Sequence, residues 1–325
     1  MTLPEHAPRV AIFQFISHPV VGLCVEGVVD GLRSEGFVDD KTVRLRRYNS
    51  EGDFPTANSI ARGIVDGDYD LVVTLTTPAL QTMASANRDG HLIHVFGAVT
   101  DPFSAGVGIQ AEDPLDHPPH LAGIGTFEPV REVLTLAKKI YPELRRVGTI
   151  WNASEAGSAA CVKLAREVCA ELGCEFCEVT VENSAGVLEA AKAVVGRDLD
   201  VILVSGDNTV LSAFECVVRT ATEAGLPVIT TDTASAAKGA LLNLGADPAR
   251  VGRFTGTLAA RILRGLEPAD VPIENVIPEC LTLGLQHLDR FEPCWHVPAE
   301  VRARAVEIYD ESGLIKAPGE EPPEG

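Results

Sequence analysis

The chain has 325 residues, of which 46% are hydrophobic, and a formal net charge of −19. A single hydrophobic core stops growing at about 250 to 300 residues, so the length predicts two domains. The negative charge argues against nucleic acid or an anionic membrane surface as a partner, because both require clustered Lys and Arg. The sequence contains no apolar run of about 18 residues, so it predicts no membrane span.

Short β segments and longer α segments alternate from the amino terminus. The predicted strands are 9–15, 41–49, 70–75 and 92–98, and the predicted helices are 19–35, 55–66 and one that begins at Pro78. Regular β–α alternation predicts a parallel, doubly wound sheet. Residues 110–122 interrupt the alternation with three prolines and two histidines. We therefore predict the first crossing between domains in this segment.

The alternation then restarts. The predicted helices are 128–140, 156–172, 184–195 and 209–224, and the predicted strands are 146–151, 175–180, 200–204 and 227–230. The later segment 240–268 reads as a strand and a helix that return to the first domain. The predicted fold class is therefore α/β, with two doubly wound parallel-sheet lobes joined by a hinge of several strands.

The predicted domain boundaries follow from this plan. Lobe 1 comprises 9–122 and 240–268, lobe 2 comprises 123–239 and 269–290, and 291–325 form a C-terminal helix and an acidic, disordered tail.

Five predicted strands end in the same way, with an apolar run followed by Thr, Ser, Asn or Asp at a helix start. These ends lie within 71–79, 91–102, 147–154, 201–208 and 226–232. In an open α/β sheet the carboxyl ends of the strands form the ligand crevice, so the five ends predict a polar pocket. The alternative is that each cluster is an ordinary N-cap, since these residue types satisfy free amides at any helix start.

An α-amino acid requires an anion site and a cation site close together. Thr76 and Thr77, beside a helix that begins at Pro78, suit a carboxylate, although a plain cap with Pro in the first turn has the same pattern. Asp101 and Asp207 each follow a predicted strand and are candidates to accept the ligand's ammonium group. Asp207 has a second interpretation, as the cap of the next helix.

Seven segments resemble one known family. They are FQFISHPVVG, EGVVDGLRSEGF, YNSEGD, LTTPALQ, AVTDP, WNASEAGS and SGDNTV. Their order over residues 9–288 is similar to that of ABC-transporter solute-binding proteins whose members bind tryptophan or tyrosine. The resemblance implies a type I periplasmic-binding-protein fold, with a ligand held in the cleft between two lobes.

The resemblance also implies a function. The chain is expected to be the solute-binding component of an ABC importer, with a transporter permease as its partner if exported. The expected ligand is a small polar solute, most of all an amino acid with an aromatic or other apolar side chain. The residues and the resemblance together give ten candidate ligand contacts: Gln14, His18, Thr76, Thr77, Thr100, Asp101, Asn152, Ser158, Asp207 and Asn208.

The sequence predicts no catalytic residues, metal site or cofactor. It lacks GxGxxG after the first strand, GxxxxGK[ST], GxSxG and HExxH. Its eight cysteines do not provide the two CxxC motifs of a typical zinc site. A cytosolic small-molecule sensor or regulatory module with the same fold remains the alternative, and an α/β enzyme with an unrecognised site is the third hypothesis. The resemblance predicts a periplasmic or an extracellular, lipid-tethered protein. If Met1 is the native start, the expected location is cytoplasmic, because no signal peptide follows it.

Overall fold

The computed structural model describes residues 7–292 and 294–316. They divide into two compact units. The first comprises the described residues up to Phe127, Glu155–Gly157 and Asp247–Pro278. The second comprises Glu128–Ser154, Ser158–Ala246 and the described residues from Glu279 onward.

Strands and helices alternate through most of the chain. The strands are β1 (Arg9–Gln14), β2 (Arg44–Asn49), β3 (Leu71–Leu75), β4 (Ile93–Val99), β5 (Leu121–Gly125), β6 (Arg146–Trp151), β7 (Glu175–Thr180), β8 (Val201–Val204), β9 (Val228–Thr230), β10 (Leu242–Ala246), β11 (Glu274–Asn275), β12 (Glu279–Gly284), β13 (Glu307–Asp310) and β14 (Gly313–Lys316). The α-helices are α1 (Pro19–Ser34), α2 (Phe54–Val65), α3 (Thr77–Ala86), α4 (Val130–Ile140), α5 (Ala156–Glu171), α6 (Val187–Val195), α7 (Asn208–Leu211), α8 (Phe214–Glu223), α9 (Pro248–Leu263) and α10 (Ala299–Arg304).

The sheet of the first unit has the strand order β2-β1-β3-β4-β5-β11, and all of its pairs are parallel. Every residue of β3 is buried, as expected for a central strand covered on both faces. The chain order reverses between β1 and β3. In open α/β sheets this reversal point, at the carboxyl ends of the strands, is where ligands bind.

The sheet of the second unit repeats the plan, with the order β7-β6-β8-β9-β10-β12-β13-β14. Its strands from β7 to β10 are parallel, and the chain order reverses between β6 and β8. β12 is antiparallel to β10, and β14 is antiparallel to β13. The predicted α/β class with two parallel-rich sheets is therefore confirmed, with antiparallel strands added at one edge of the second sheet.

The first boundary between units differs from the predicted one. β5 pairs in parallel with β4 and with β11, so residues 123–127 belong to the first unit, not the second. The strand follows the proline-rich segment directly and contains two glycines, Gly123 and Gly125. Its sequence therefore carries little strand signal of its own, and pairing with its neighbours makes it a strand.

The segment 240–268 is divided between the units. β10 pairs with β9 and β12 in the second unit, whereas α9 belongs to the first unit. Residues 269–278, predicted for lobe 2, lie in the first unit, because β11 completes that unit's sheet.

The predicted C-terminal helix is wrong beyond a short segment. The helix is confined to α10, and β13 and β14 then extend the second sheet beyond β12. The predicted disordered tail falls on residues 317–325, which lie outside the described residues.

Two helices of the first unit pack with their backbones in close contact. A Cβ on Gly252 of α9 would overlap the carbonyl oxygen of Cys24, and a Cβ on Gly256 would overlap that of Val28, both on α1. Gly27 and Gly31 of α1 face backbone atoms of α9 in the same way. Each helix thus places two glycines four residues apart on its contact face, and only glycine permits this approach.

A histidine is buried between adjacent strands of the first unit. His94, on β4, is 0% exposed, and its Nε2 lies 2.8 Å from the hydroxyl oxygen of Thr74 on β3. Burial, together with the charge of nearby His120, lowers the pKa of His94 to about 3. The folded protein therefore holds this imidazole neutral at pH values where an exposed histidine takes up a proton.

We expect His94 to make stability depend on pH. Unfolded His94 binds a proton near its ordinary pKa of about 6.5, so below that pH the unfolded state binds more protons. The free energy of unfolding should then fall with decreasing pH, with a contribution from His94 that approaches about 1.4 kcal/mol per pH unit. The free energy of unfolding of His94→Gln, measured by urea denaturation at several pH values below about 6.5, should vary less steeply with pH than that of the parent. The exposed His91→Gln is the control, and a slope in His94→Gln as steep as in that control would contradict the assignment.

Candidate functional site

The predicted site residues of the first unit lie along one edge of its sheet. β1, β3 and β4 are adjacent and parallel, with Gln14 beside Leu75 and Leu75 beside Gly97. Their carboxyl ends therefore meet at the same edge, where the chain order reverses. Six candidates lie on these strand ends or at the helix starts that follow them: Gln14, His18, Thr76, Thr77, Thr100 and Asp101.

Thr76 has the most unusual geometry at this edge. It is the N-cap of α3, yet its φ of 83° places a β-branched residue in a region that such residues rarely adopt. Its side chain makes no capping hydrogen bond, and its buried hydroxyl has no hydrogen-bond partner among the described residues. Pro78 lies in the first turn of the helix, and Thr77 is 8% exposed. A helix N-terminus with an unused hydroxyl beside it suits a carboxylate.

Two other candidates at this edge bond to their own loops. The side-chain amide of Gln14 donates to the carbonyl oxygen of Ile16 at 2.8 Å. The Oδ1 of Asp101 accepts hydrogen bonds from the backbone N–H groups of Phe103 at 3.1 Å and Ser104 at 3.2 Å. The Oδ2 of Asp101 accepts from the hydroxyl of Ser104. Asp101 thus shapes the loop that follows β4.

Three of the predicted residues of the second unit, Asn152, Ser158 and Asp207, form one hydrogen-bond network. The carboxylate of Asp207 is 0% exposed. Oδ2 accepts from the backbone N–H of Asn152 at 2.6 Å and from the hydroxyl of Ser158 at 2.7 Å. Oδ1 accepts from the backbone N–H of Val210 at 2.8 Å and caps α7. The capping role that the sequence left open for Asp207 is the one seen in the structure.

Asn152 extends this network to the loop after β6. Its Oδ1 accepts from the backbone N–H of Ser154 at 3.0 Å and from the hydroxyl of the same residue at 2.7 Å. Its Nδ2 donates to the hydroxyl of Thr209 at 2.9 Å. Asn208, the first residue of α7, is half-buried beside it. The structure therefore brings all four predicted residues of this unit together at the carboxyl ends of β6 and β8.

Sequence reasoning missed one carboxylate at the same edge. The Oε2 of Glu128 accepts from the backbone N–H of Gly206 at 2.6 Å and from the hydroxyl of Thr231, just beyond the ends of β8 and β9. A Cβ on Gly206 would overlap Oε1 of Glu128, so glycine at this position makes room for the carboxylate. Glu128 is half-buried. Its position at the start of a helix, close to the predicted domain crossing, was the available signal.

Within residues 7–292 and 294–316, no group of three or more His, Cys, Asp or Glu side chains could hold a metal ion. No helix in these ranges has both the length and the apolar character needed to cross a membrane. None of the eight cysteines, all of which lie in the described ranges, forms a disulfide.

A family model and a known protein each match most of the chain. The family model described as ABC transporter substrate binding protein matches residues 9–290. The tyrosine-binding protein of Clostridioides difficile strain R20291 is 29% identical over 268 residues, which cover 82% of this chain and 76% of that protein.

Solved structures show the same similarity. A conserved domain protein from Vibrio cholerae has a TM-score of 0.86 and 29% identity, over 93% of this chain and 99% of the other. An ABC domain from Streptococcus pneumonia, solved in complex with L-Trp, has a TM-score of 0.85 and 26% identity over the same shares. A ligand-free, open substrate-binding protein from Clostridium difficile has a TM-score of 0.69 and 27% identity, over 90% of this chain and 96% of the other.

Proposed function

The chain belongs to the ABC transporter substrate-binding protein family, and we propose that it binds a free amino acid with an aromatic or other apolar side chain. Proteins of this family bind a substrate and are not enzymes. Two of the similar proteins support the proposed ligand class, since one is a tyrosine-binding protein and another was solved with L-Trp.

The observation that carries the proposal is the opposite chemistry of the two strand-end edges. The edge of the first unit presents the N-terminus of α3 with the unused hydroxyl of Thr76, which suits a carboxylate. The edge of the second unit holds the carboxylate of Glu128, which is half-buried and suits a cation. An α-amino acid carries a carboxylate and an ammonium group, so the chemistry of each edge suits one of its two charged groups.

The remaining candidates have supporting roles in this proposal. Thr77 and Thr100 are additional hydroxyl donors at the first edge, and Gln14 and His18 lie where β1 ends. Asn152, Ser158 and Asn208 hold the strand-end loops of the second unit in place. We further propose that the protein works outside the cytoplasmic membrane and delivers its amino acid to the permease of an ABC importer, as its family membership suggests.

Calorimetric titration tests the ligand class. Protein that has been unfolded in denaturant and refolded, to remove any bound molecule, is titrated with L-tryptophan, L-tyrosine and L-leucine. At least one should bind, and its analogues lacking the amino group or the carboxylate should bind about tenfold to a hundredfold more weakly, because each loses a charge-assisted hydrogen bond. If the refolded protein binds no free amino acid, the proposal is wrong.

A further inference from the structure

We propose that Cys169 and Cys174 form a redox-active pair, which closes into a disulfide when a small-molecule disulfide oxidises the protein. The two residues lie in the second unit, where α5 ends and the chain turns into β7. In the structure both side chains are thiols. The inference concerns this turn alone and does not depend on the ligand class proposed above.

The turn is a Schellman motif, a common helix ending in which backbone N–H groups reach back to the last carbonyl groups of the helix. The N–H of Cys174 donates to the carbonyl oxygen of Cys169 at 2.8 Å, and the N–H of Gly173 donates to that of Ala170 at 3.2 Å. Gly173 has a φ of 69°, the left-handed conformation that the motif requires after the helix. Side chains at the positions of Cys169 and Cys174 commonly contact each other in this motif.

The same backbone bond sets the distance between the two cysteines. With standard bond lengths, an N···O distance of 2.8 Å between Cys174 and Cys169 places their Cα atoms no more than about 6.7 Å apart. Disulfides span Cα distances of about 4.4 to 6.8 Å. A disulfide therefore fits between these residues after side-chain rotation, without breaking the backbone hydrogen bonds of the turn.

The two thiols differ in exposure, and this difference assigns their roles. Cys169 is 1% exposed, and burial, together with nearby Cys174, raises its pKa to about 12. Cys174 is half-buried, and its Sγ donates to the carbonyl oxygen of Leu144 at 3.3 Å. Burial also raises the pKa of Cys174, but the ammonium group of Lys138, which donates to the same carbonyl oxygen at 2.6 Å, opposes this shift. Cys174 is therefore the thiol that solvent reaches and whose thiolate a neighbouring cation stabilises.

The proposed reaction consists of two thiol–disulfide exchange steps. The Cys174 thiolate attacks one sulfur atom of the small disulfide RS–SR, which forms a mixed disulfide at Cys174 and releases RS⁻. The Cys169 thiolate then attacks the Sγ of Cys174, which forms the Cys169–Cys174 bond and releases the second RS⁻. The protons of the two cysteines pass through solvent to the two RS⁻ groups. The small disulfide is thereby reduced to two thiols while the protein disulfide forms.

Peptide mapping tests the pair, because glutamates separate the cysteines of this segment. Cleavage after glutamate divides it into the peptides 168–171, 172–175 and 176–178, each with one cysteine. The whole folded protein is reduced, freed of reductant and incubated with oxidised glutathione. It is then alkylated in denaturant and cleaved without reduction. Mass spectrometry should find peptides 168–171 and 172–175 joined by a disulfide, and dithiothreitol should separate them.

Three variants test the roles of the two thiols. Cys169→Ala lacks the second thiol, so its Cys174 should accumulate as the mixed disulfide with glutathione. Cys174→Ala should leave Cys169 as a thiol, because burial shields it from the small disulfide. The control is Cys294→Ala, which removes an exposed thiol outside the pair and should not change the yield of joined peptides.

The parent protein alone decides the proposal, even if a variant folds poorly. If peptides 168–171 and 172–175 are recovered separately from the oxidised parent, the pair does not close and the proposal is overturned. Joining of peptide 176–178 to either of them would overturn it as well, because the reactive partner would then be Cys177.

Discussion

Replacing Asp207 with Ala is expected to lower the free energy of unfolding of the second unit by about 3 kcal/mol or more. The variant leaves the backbone N–H groups of Asn152 and Val210 and the hydroxyl of Ser158 without their acceptor. Each buried donor left unsatisfied costs about 1 to 3 kcal/mol, and the lost helix cap is one of these three. Removing the buried negative charge recovers part of this cost, which is why the expected total is near the low end of the sum.

Tryptophan fluorescence during urea denaturation measures this effect selectively. The protein has two tryptophans, Trp151 and Trp295, and both lie in the second unit. The matched control is Asn183→Ala, which removes an exposed cap in the same unit with a single hydrogen bond to the backbone N–H of Ala185. That control should cost about 1 kcal/mol or less. Equal losses in the two variants would contradict the network role of Asp207.

Replacing Gly252 or Gly256 with Ala is expected to destabilise the first unit by about 1 to 3 kcal/mol. Alanine normally stabilises a helix interior relative to glycine by about 1 kcal/mol, so propensity alone predicts the opposite sign. Here the added methyl group would overlap the carbonyl oxygen of Cys24 or Val28, which is backbone of α1 and cannot rotate away. The two helices must separate, and the buried surface between them is lost.

The control for these variants is Gly22→Ala. Gly22 also lies in α1, but a Cβ there would meet nothing within 4 Å. This variant should be neutral or stabilising by up to about 1 kcal/mol. Far-UV circular dichroism during urea denaturation measures the stability of each variant. A stabilising effect of Gly252→Ala would show that α1 and α9 are not in close contact.

Most strands and helices could be predicted from local patterns, since apolar runs and polar strand ends are properties of neighbouring residues. The predicted strand 146–151 has the bounds of β6, and the predicted helix 19–35 differs from α1 by one residue. The predicted helix 209–224 is divided into α7 and α8. The strands that were not predicted share one cause. β5 is short and rich in glycine, and β13 and β14 have a helix-like pattern, so their strand state depends on pairing with β4 and β12.

The site residues likewise divide into features that are local in the sequence and features that depend on the folded structure. The sequence by itself determined that hydroxyl, amide and carboxylate side chains follow several parallel strands, because residue types and strand ends are local features. Only the tertiary structure decided how each group is used. Asp207 meets Asn152 across 55 residues, and Glu128 meets Gly206 and Thr231 across 78 and 103 residues. The hydrogen-bond donors around a carboxylate determine its role in the structure. The folded sheet brings those donors together from distant parts of the chain.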